Sequence, residues 1–134
     1  MNIAIGVVAA VISVFLAFGF FKAGKFKATS SKEALLGAGF GWIEKIPFAA
    51  VRLIAWLEIL GAIGIVLAPI GYFLGFEWAI WVAVAAAAGL ALTMVGAIWV
   101  HGARGEAKFT LKMNLKLLVP AVIAAVLWAI LPNF

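Results

Sequence analysis

Residues 48–68 read FAAVRLIAWLEILGAIGIVLA, an apolar stretch that contains Arg52 near its start and Glu58 near its middle. A helix of this length rises about 30 Å, which matches the hydrocarbon core of a bilayer. Comparable apolar stretches lie at about 3–21, about 76–100 and about 115–131. The sequence therefore predicts an all-α protein, an antiparallel bundle of four transmembrane helices.

The composition supports this interpretation. The chain has 134 residues, of which 68% are hydrophobic and 11% are charged, against about 45–50% and about 25% in an average soluble domain. A small soluble domain would leave much of that apolar surface in water, so a soluble globular protein is excluded. We expect one membrane domain over residues 1–134 that contacts the lipid bilayer.

The basic residues predict the orientation of the bundle. They form two groups, Lys22, Lys25, Lys27, Lys32, Lys45 and Arg52, and Arg104, Lys108, Lys112 and Lys116. In a four-helix antiparallel bundle both groups flank the same side, which the positive-inside rule makes cytoplasmic. We expect a multi-pass protein of a bacterial-type inner membrane with both termini outside, and no nucleic-acid partner. The first span is expected to stay attached, since no basic residue precedes it and it is too long for a signal peptide.

Prolines, a loop and small residues complete the predicted architecture. Pro47 and Pro69 are expected to start and stop the second helix, and Pro120 to lie in the first turn of the fourth. Tryptophans near the predicted span ends, including Trp128, are expected to form an aromatic belt. Residues 30–46 predict an interfacial or re-entrant helix capped by Ser30 or Ser31.

Small residues in the second and third spans are expected to allow close helix packing. They are Ala55, Gly61, Ala62 and Gly64, and Ala85, Ala88, Gly89, Gly96 and Ala97.

Glu58 is the first candidate site residue. It is expected about 13 Å into a hydrocarbon core about 30 Å thick. A carboxylate there costs at least about 2.5–3.5 kcal/mol, so we expect it to face the bundle interior and to have a partner or a proton. It either handles protons or binds a polar ligand, or it is a structural carboxyl that bonds a neighbouring helix.

Arg52 and His101 are the other ionisable candidates. Arg52 lies about 9 Å along the helix axis from Glu58 and about 120° around it, which excludes a direct pair. Arg52 either extends to the inner headgroups or binds an anionic headgroup or ligand. His101, at the inner end of the third span, is expected to point toward other helices. It either accepts a proton from a quinol, ligates a pigment or haem with a partner chain, binds a headgroup, or is satisfied by water or lipid.

The absence of cysteine and the presence of one histidine limit the cofactors. A disulfide framework, a thiolate metal site, an iron–sulfur cluster held by this chain and a bis-histidine haem within one subunit are excluded. We predict no metal site and no cofactor held by this chain alone. The remaining candidates are a quinone, a lipid, or a pigment or haem shared with a partner through His101.

Two longer motifs resemble those of a known family. The run VRLIAWLEILGAIGIVLAP (Val51 to Pro69) resembles the second-helix signature of the DoxX-like family, with its Arg, a Glu six residues on, a Gly-Ala pair and a closing Pro. The run AGLALTMVGAIWVHGARGE (Ala88 to Glu106) resembles that family's third helix, and GFFKAGKF (Gly19 to Phe26) fits its first helix more loosely.

The resemblance implies a four-helix membrane bundle. The family takes its name from small membrane subunits associated with quinone-linked sulfur oxidation and terminal oxidase complexes. By position, the family-matching polar residues are Arg52, Glu58 and His101, and Asn114 at the start of the fourth span is a weaker candidate.

Two classes of function follow. The chain is expected to be a quinone-facing or lipid-facing accessory subunit of a membrane redox complex, more readily than a stand-alone enzyme, and no catalytic residue is assigned. The alternative is a structural scaffold that packs against other membrane subunits or a second copy of itself. A carrier for a small solute or lipid ranks third, because four spans without an inverted repeat leave little machinery for alternating access.

Overall fold

Four long helices and a short helical segment make up the fold. A computed structural model describes residues 3–133, with the side chains of Ala107 and Phe109 excepted. The elements are α1 (Ile3–Thr29), α2 (Lys32–Gly37), a 3₁₀ turn (Gly41–Lys45), α3 (Phe48–Phe73), α4 (Ala79–Ala103), α5 (Ala107–Ile130) and a final 3₁₀ turn (Leu131–Asn133). Four helices are long and apolar enough to cross a membrane, as the sequence predicts.

The four long helices form a ring. Helix α1 packs against α3 and α5, and α4 packs against the same two helices, so that α3 and α5 lie on opposite sides of the ring. The main core contains Phe20, Ile65, Leu90 and Trp128, one from each long helix. Many large apolar side chains point outward instead, as Leu60 and Trp99 do. Exposed apolar surface on this scale fits contact with lipid rather than water.

Helix α1 is longer than its predicted span. It continues beyond residue 21 to Thr29 and so carries all three of its lysines within the helix. The buried residues Gly6, Ser13, Phe20 and Lys27 recur every seven positions along it. Seven residues are nearly two helical turns, so these positions share one face. The basic segment therefore extends the buried face of the helix rather than ending it.

The predicted roles of Pro69 and Pro120 are wrong. Both lie inside helices, Pro69 within α3 and Pro120 in the middle of α5. A proline removes one backbone hydrogen bond, and a helix in a packed membrane bundle tolerates that loss. The turns that follow α3 and α4 each contain a glycine with a positive φ, which is +105° at Gly75 and +72° at Gly105. Pro47 is the N-cap of α3, which confirms its predicted position.

Trp128 does not belong to an aromatic belt. It is completely buried, and its indole Nε1 donates a hydrogen bond of 2.9 Å to Oγ of Ser13. The bond satisfies a polar indole nitrogen that would otherwise be unpaired in the core. It joins α5 to α1.

The small residues have different roles on the two predicted helices. On α3, Ala55 and Ala62 are buried in the bundle, as expected. On α4, Ala85, Ala88, Gly89 and Gly96 are exposed. A methyl group added at Gly89 or Gly96 would meet no atom within 4 Å, so these two positions pack against no other helix of the described chain.

The loop between α1 and α3 forms two short helical elements. Ser31 caps α2, and its side chain accepts a hydrogen bond of 3.1 Å from the backbone N–H of Ala34. Leu35 and Ile43 are buried together with Val51 of α3 in a small separate cluster. The loop is therefore anchored on the start of α3. Its interfacial or re-entrant placement stays a prediction.

Candidate functional site: a polar cavity at the basic end of the bundle

A buried ion pair joins α1 to α3. Nζ of Lys27 lies 2.5 Å from Oε1 of Glu58, whose residue is only 1% exposed. Removing a carboxylate from water is costly, and a paired cation with a direct hydrogen bond offsets that cost. Glu58 therefore faces the interior and has a partner, as the sequence predicts. The partner is Lys27, for which the sequence predicts only a role in membrane topology.

Gly24 allows the two helices to approach closely enough for this pair. A methyl group on Gly24 would lie 2.8 Å from the backbone oxygen of Ala55, 2.9 Å from Cγ1 of Ile59 and 3.2 Å from Cβ of Glu58. These distances are shorter than ordinary van der Waals contacts, so only glycine fits without displacing a helix. Lys27 follows one helical turn later on the same face of α1 and thereby reaches Glu58.

The ion pair lies in the wall of a cavity of about 450 Å³. The four long helices and the loop all contribute to its wall. Most of the lining side chains are apolar, and its polar residues are Lys27, Glu58, Thr93, His101, Asn114 and Trp42. Ligand cavities in proteins typically measure about 300–1,000 Å³ and combine apolar walls with a few polar groups. The cavity has the size and composition of a site for a small, largely apolar molecule.

Asn114 of α5 lines the same cavity as Glu58. It is 6% exposed. Its Nδ2 and the second carboxylate oxygen of Glu58, Oε2, have no hydrogen-bond partner among the described residues. Buried polar atoms are nearly always paired, and each exception calls for an explanation. The weakest of the sequence candidates is therefore placed in the same site as the strongest.

His101 connects the cavity to the turn between α4 and α5. Its ring lines the cavity, and Nδ1 lies 3.3 Å from Oε1 of Glu106. Nε of Arg104 donates to the same oxygen at 2.9 Å. The hydrogen bond with His101 and the contact with Arg104 lower the pKa of the Glu106 carboxyl, against a smaller opposing effect of desolvation. His101 thus points into the bundle, as expected, and its ring is held by a carboxylate outside the membrane span.

Residues of the loop form part of the cavity wall near His101. Phe40 and Trp42 line the cavity, and their ring centroids are 6.4 Å apart. A methyl group on Gly41, between them, would lie 2.7 Å from Nη2 of Arg104. The loop therefore contacts the α4–α5 turn at this point.

Arg52 is not part of the cavity wall. Its Nη1 donates a hydrogen bond of 2.8 Å to the backbone oxygen of Lys27, and its guanidinium lies 4.6 Å from the ring centre of Phe48. The predicted absence of a direct pair with Glu58 agrees with this geometry. Arg52 supports the site indirectly, because it binds the end of α1 that carries Lys27.

Lys27 and Thr93 line the cavity but are not among the site residues predicted from the sequence. The seven-residue spacing of Gly6, Ser13 and Phe20 continues to Lys27 and could have placed its side chain on the buried face of α1. No comparable sequence pattern marks Thr93. Its hydroxyl donates to the backbone oxygen of Gly89 within its own helix.

Comparisons with known proteins agree with the fold. The model of the DoxX-like family matches residues 11–130. No curated protein and no solved structure matches the chain. The matched segment includes most of α1, all of α3, α4 and α5, and each of the candidate site residues. The chain therefore belongs to the DoxX-like family and is a membrane protein built on four apolar helices.

Proposed function

We propose that the cavity binds the headgroup of a quinone-type lipid and that the chain is an accessory subunit of a membrane redox complex. The observation that carries the proposal is the combination of a cavity of about 450 Å³ with apolar walls and a buried, internally neutralised ion pair. Electron transfer would take place in another subunit, and this chain would supply the binding site.

Charge balance supports a neutral ligand. Lys27 and Glu58 compensate each other, so the deepest polar part of the wall carries no net charge. A phosphate or ammonium headgroup would be desolvated there without a counter-charge, which is unfavourable in a medium of low dielectric constant. A quinone headgroup is uncharged, has polar oxygens for the few polar side chains, and carries an apolar tail that the remaining walls and the lipid can accept.

The proposal is tested by blocking the cavity from one wall. Ala97 lines the cavity, whereas Ala88 lies on the exposed face of the same helix. We expect the purified chain in nanodiscs to bind a short-chain benzoquinone saturably, measured by calorimetry against empty nanodiscs. Ala97→Phe should abolish this binding, and the matched control Ala88→Phe should retain it.

Two outcomes would contradict the proposed binding site. One is the absence of saturable binding to the unaltered chain. The other is equal binding by Ala97→Phe and Ala88→Phe. Thermal unfolding of both variants shows whether Ala97→Phe is folded. Leu117→Trp, which blocks the cavity from the neighbouring helix α5, provides a second test of the same cavity.

A scaffold role is the second candidate, favoured by the outward face of α4. Ala85 and Gly89 are small and exposed along that face, and small residues allow helices to pack closely in lipid. On this hypothesis the face binds a helix of another membrane subunit or of a second copy. Gly89→Leu should then release co-purifying subunits in mild detergent, while Val126→Leu on the exposed face of α5 should not. Purification of the unaltered chain as a lone monomer would refute this role.

We further propose that the basic end of the bundle faces the cytoplasm of an inner membrane. The two basic groups lie at the same end of the four helices, which supports this orientation by the positive-inside rule. The chain has no cysteine, so single cysteines at the exposed positions Lys32 and Glu77 can be probed with an impermeant thiol reagent. Glu77→Cys should be labelled from outside in intact cells and Lys32→Cys only after lysis. The reverse pattern would overturn the orientation.

A further inference from the structure

Helices α3 and α4 are in contact along the part of their length away from the basic end of the bundle. A methyl group on Gly71 would lie 3.3 Å from Cβ of Ala79, and one on Gly64 would lie 3.5 Å from Cβ of Ala86. On both helices these positions are seven residues apart, which is nearly two turns. Each helix therefore presents one continuous face to the other.

The next pair in this series lines the cavity. Seven residues further toward the basic end lie Leu57 on α3 and Thr93 on α4, and both belong to the cavity wall. Leu57 is nevertheless 53% exposed. Gly96, one turn beyond Thr93, also lines the cavity and is exposed, and a methyl group there would meet no atom within 4 Å. The cavity therefore reaches the outside of the bundle between α3 and α4.

This α3–α4 opening lies at the level of the lipid tails. Leu57 is nine residues from the start of α3 and Gly96 is seven residues from the end of α4, so both lie about 10–14 Å from the basic ends of their helices. That depth is inside a hydrocarbon core about 30 Å thick. Ile54 and Val100, the neighbouring cavity residues on the two helices, are apolar as well. The opening thus joins the cavity to lipid.

A second exposed residue of the cavity wall lies at a different level. Met113 of α5 is 60% exposed, but Lys112 and Lys116 flank it and are exposed as well. Lysine ammonium groups at a membrane surface lie among the headgroups and in water. The surface around Met113 therefore suits a polar environment, whereas the rim of the α3–α4 opening suits an apolar chain.

We propose that the ligand of the cavity is a tailed lipid whose apolar tail lies in the α3–α4 opening, while its headgroup occupies the cavity. The inference rests on the proposed function, because it places the tail of the ligand that the cavity is proposed to bind. A cavity of about 450 Å³ holds a ring headgroup but not a long isoprenoid tail as well, so the tail needs an exit at this depth.

Two glycines of α4 provide a matched test. Gly96 and Gly89 are both exposed, and an added methyl group meets no atom within 4 Å at either, but of the two only Gly96 lines the cavity. The chain in nanodiscs is titrated with a short-chain benzoquinone and with the same ring carrying a decyl tail, by calorimetry against empty nanodiscs. Gly96→Trp should weaken binding of the decyl form at least about tenfold and change binding of the short-chain form less than about threefold. Gly89→Trp should change neither.

A second variant covers a failure of Gly96→Trp to fold, which thermal unfolding beside Gly89→Trp detects. Leu57→Trp fills the same opening from α3 and should have the same selective effect on the decyl form. Its control is Leu60→Trp, at a position of α3 that is 62% exposed and does not line the cavity.

The outcomes separate this inference from the proposed function. If folded Gly96→Trp and Leu57→Trp bind the decyl form as the unaltered chain does, the inference is overturned and the proposed headgroup site stands. Equal loss of both probes also overturns it, as does a loss of the decyl form in Met113→Trp alone. If the unaltered chain binds neither probe, both proposals fail. If decanol binds and is displaced by Gly96→Trp while neither quinone binds, the tail site is supported and the quinone headgroup is refuted.

Discussion

Gly24 determines how closely α1 approaches α3, and its replacement by alanine tests that role directly. The added methyl group would lie 2.8 Å from a backbone oxygen of α3 and 2.9 Å from Cγ1 of Ile59. Backbone cannot rotate away as a side chain can, so the two helices must separate locally by about half an ångström to reach an ordinary contact. Overpacking of this kind costs about 1–3 kcal/mol.

Gly24→Ala also has a favourable effect on the free energy of unfolding, which a control variant must measure separately. Alanine in a helix interior is about 1 kcal/mol more favourable than glycine. Gly89→Ala, where the methyl group meets nothing within 4 Å, measures that term alone in the same chain. Gly24→Ala should be less stable than Gly89→Ala by about 1–3 kcal/mol, which is the steric cost by itself.

The assay is reversible unfolding in mixed micelles, followed by circular dichroism as the denaturing detergent increases. Binding of the short-chain benzoquinone should also weaken in Gly24→Ala, because separation of the helices moves Lys27 away from Glu58. Gly89→Ala should bind it as the unaltered chain does. The close approach of α1 and α3 would be refuted if Gly24→Ala were as stable as Gly89→Ala.

Three further predictions concern the polar groups. Glu58→Gln should lower the free energy of unfolding by about 3–5 kcal/mol because it leaves a buried ammonium without a counter-charge. The double variant with Lys27→Met should recover much of this loss in the same micelle assay, and additive losses would contradict the pair. Ser13→Ala should cost about 1–3 kcal/mol by leaving the Trp128 indole N–H unsatisfied, whereas in a Trp128→Phe background the same change should cost clearly less. The pKa of the Glu106 carboxyl is lowered in the folded chain. Its contribution to stability is therefore present above the unfolded pKa of about 4.3 and is lost as the pH falls through the folded value. Glu106→Gln should remove this loss of stability in acid, measured by unfolding curves over a pH series, and an unchanged series would show that the contacts of Glu106 do not stabilise the fold.

The turn glycines and the prolines show how local sequence signals compete. Pro69 looks like a helix stop in the sequence, yet α3 continues to Phe73. A single lost hydrogen bond is a small penalty for a helix whose other faces are packed or in lipid. Gly75, with a φ of +105°, lies in the turn that follows, because it supplies backbone geometry that proline does not.

The sequence by itself determined the number of long helices, the family and the burial of Glu58. Span length and hydropathy are local properties, and a carboxylate in the middle of an apolar span has to face the protein interior. These features follow from each segment independently of its neighbours. The free energy of transferring each segment from water to lipid determines these features.

Only the tertiary structure decided which side chains meet. The pairing of Lys27 with Glu58, the position of Asn114 across the cavity and the close approach at Gly24 all depend on which helix faces are turned inward. In water, an amphipathic pattern would mark those faces. In lipid both the inner and the outer faces of a helix are apolar, so packing contacts and buried hydrogen bonds choose between them.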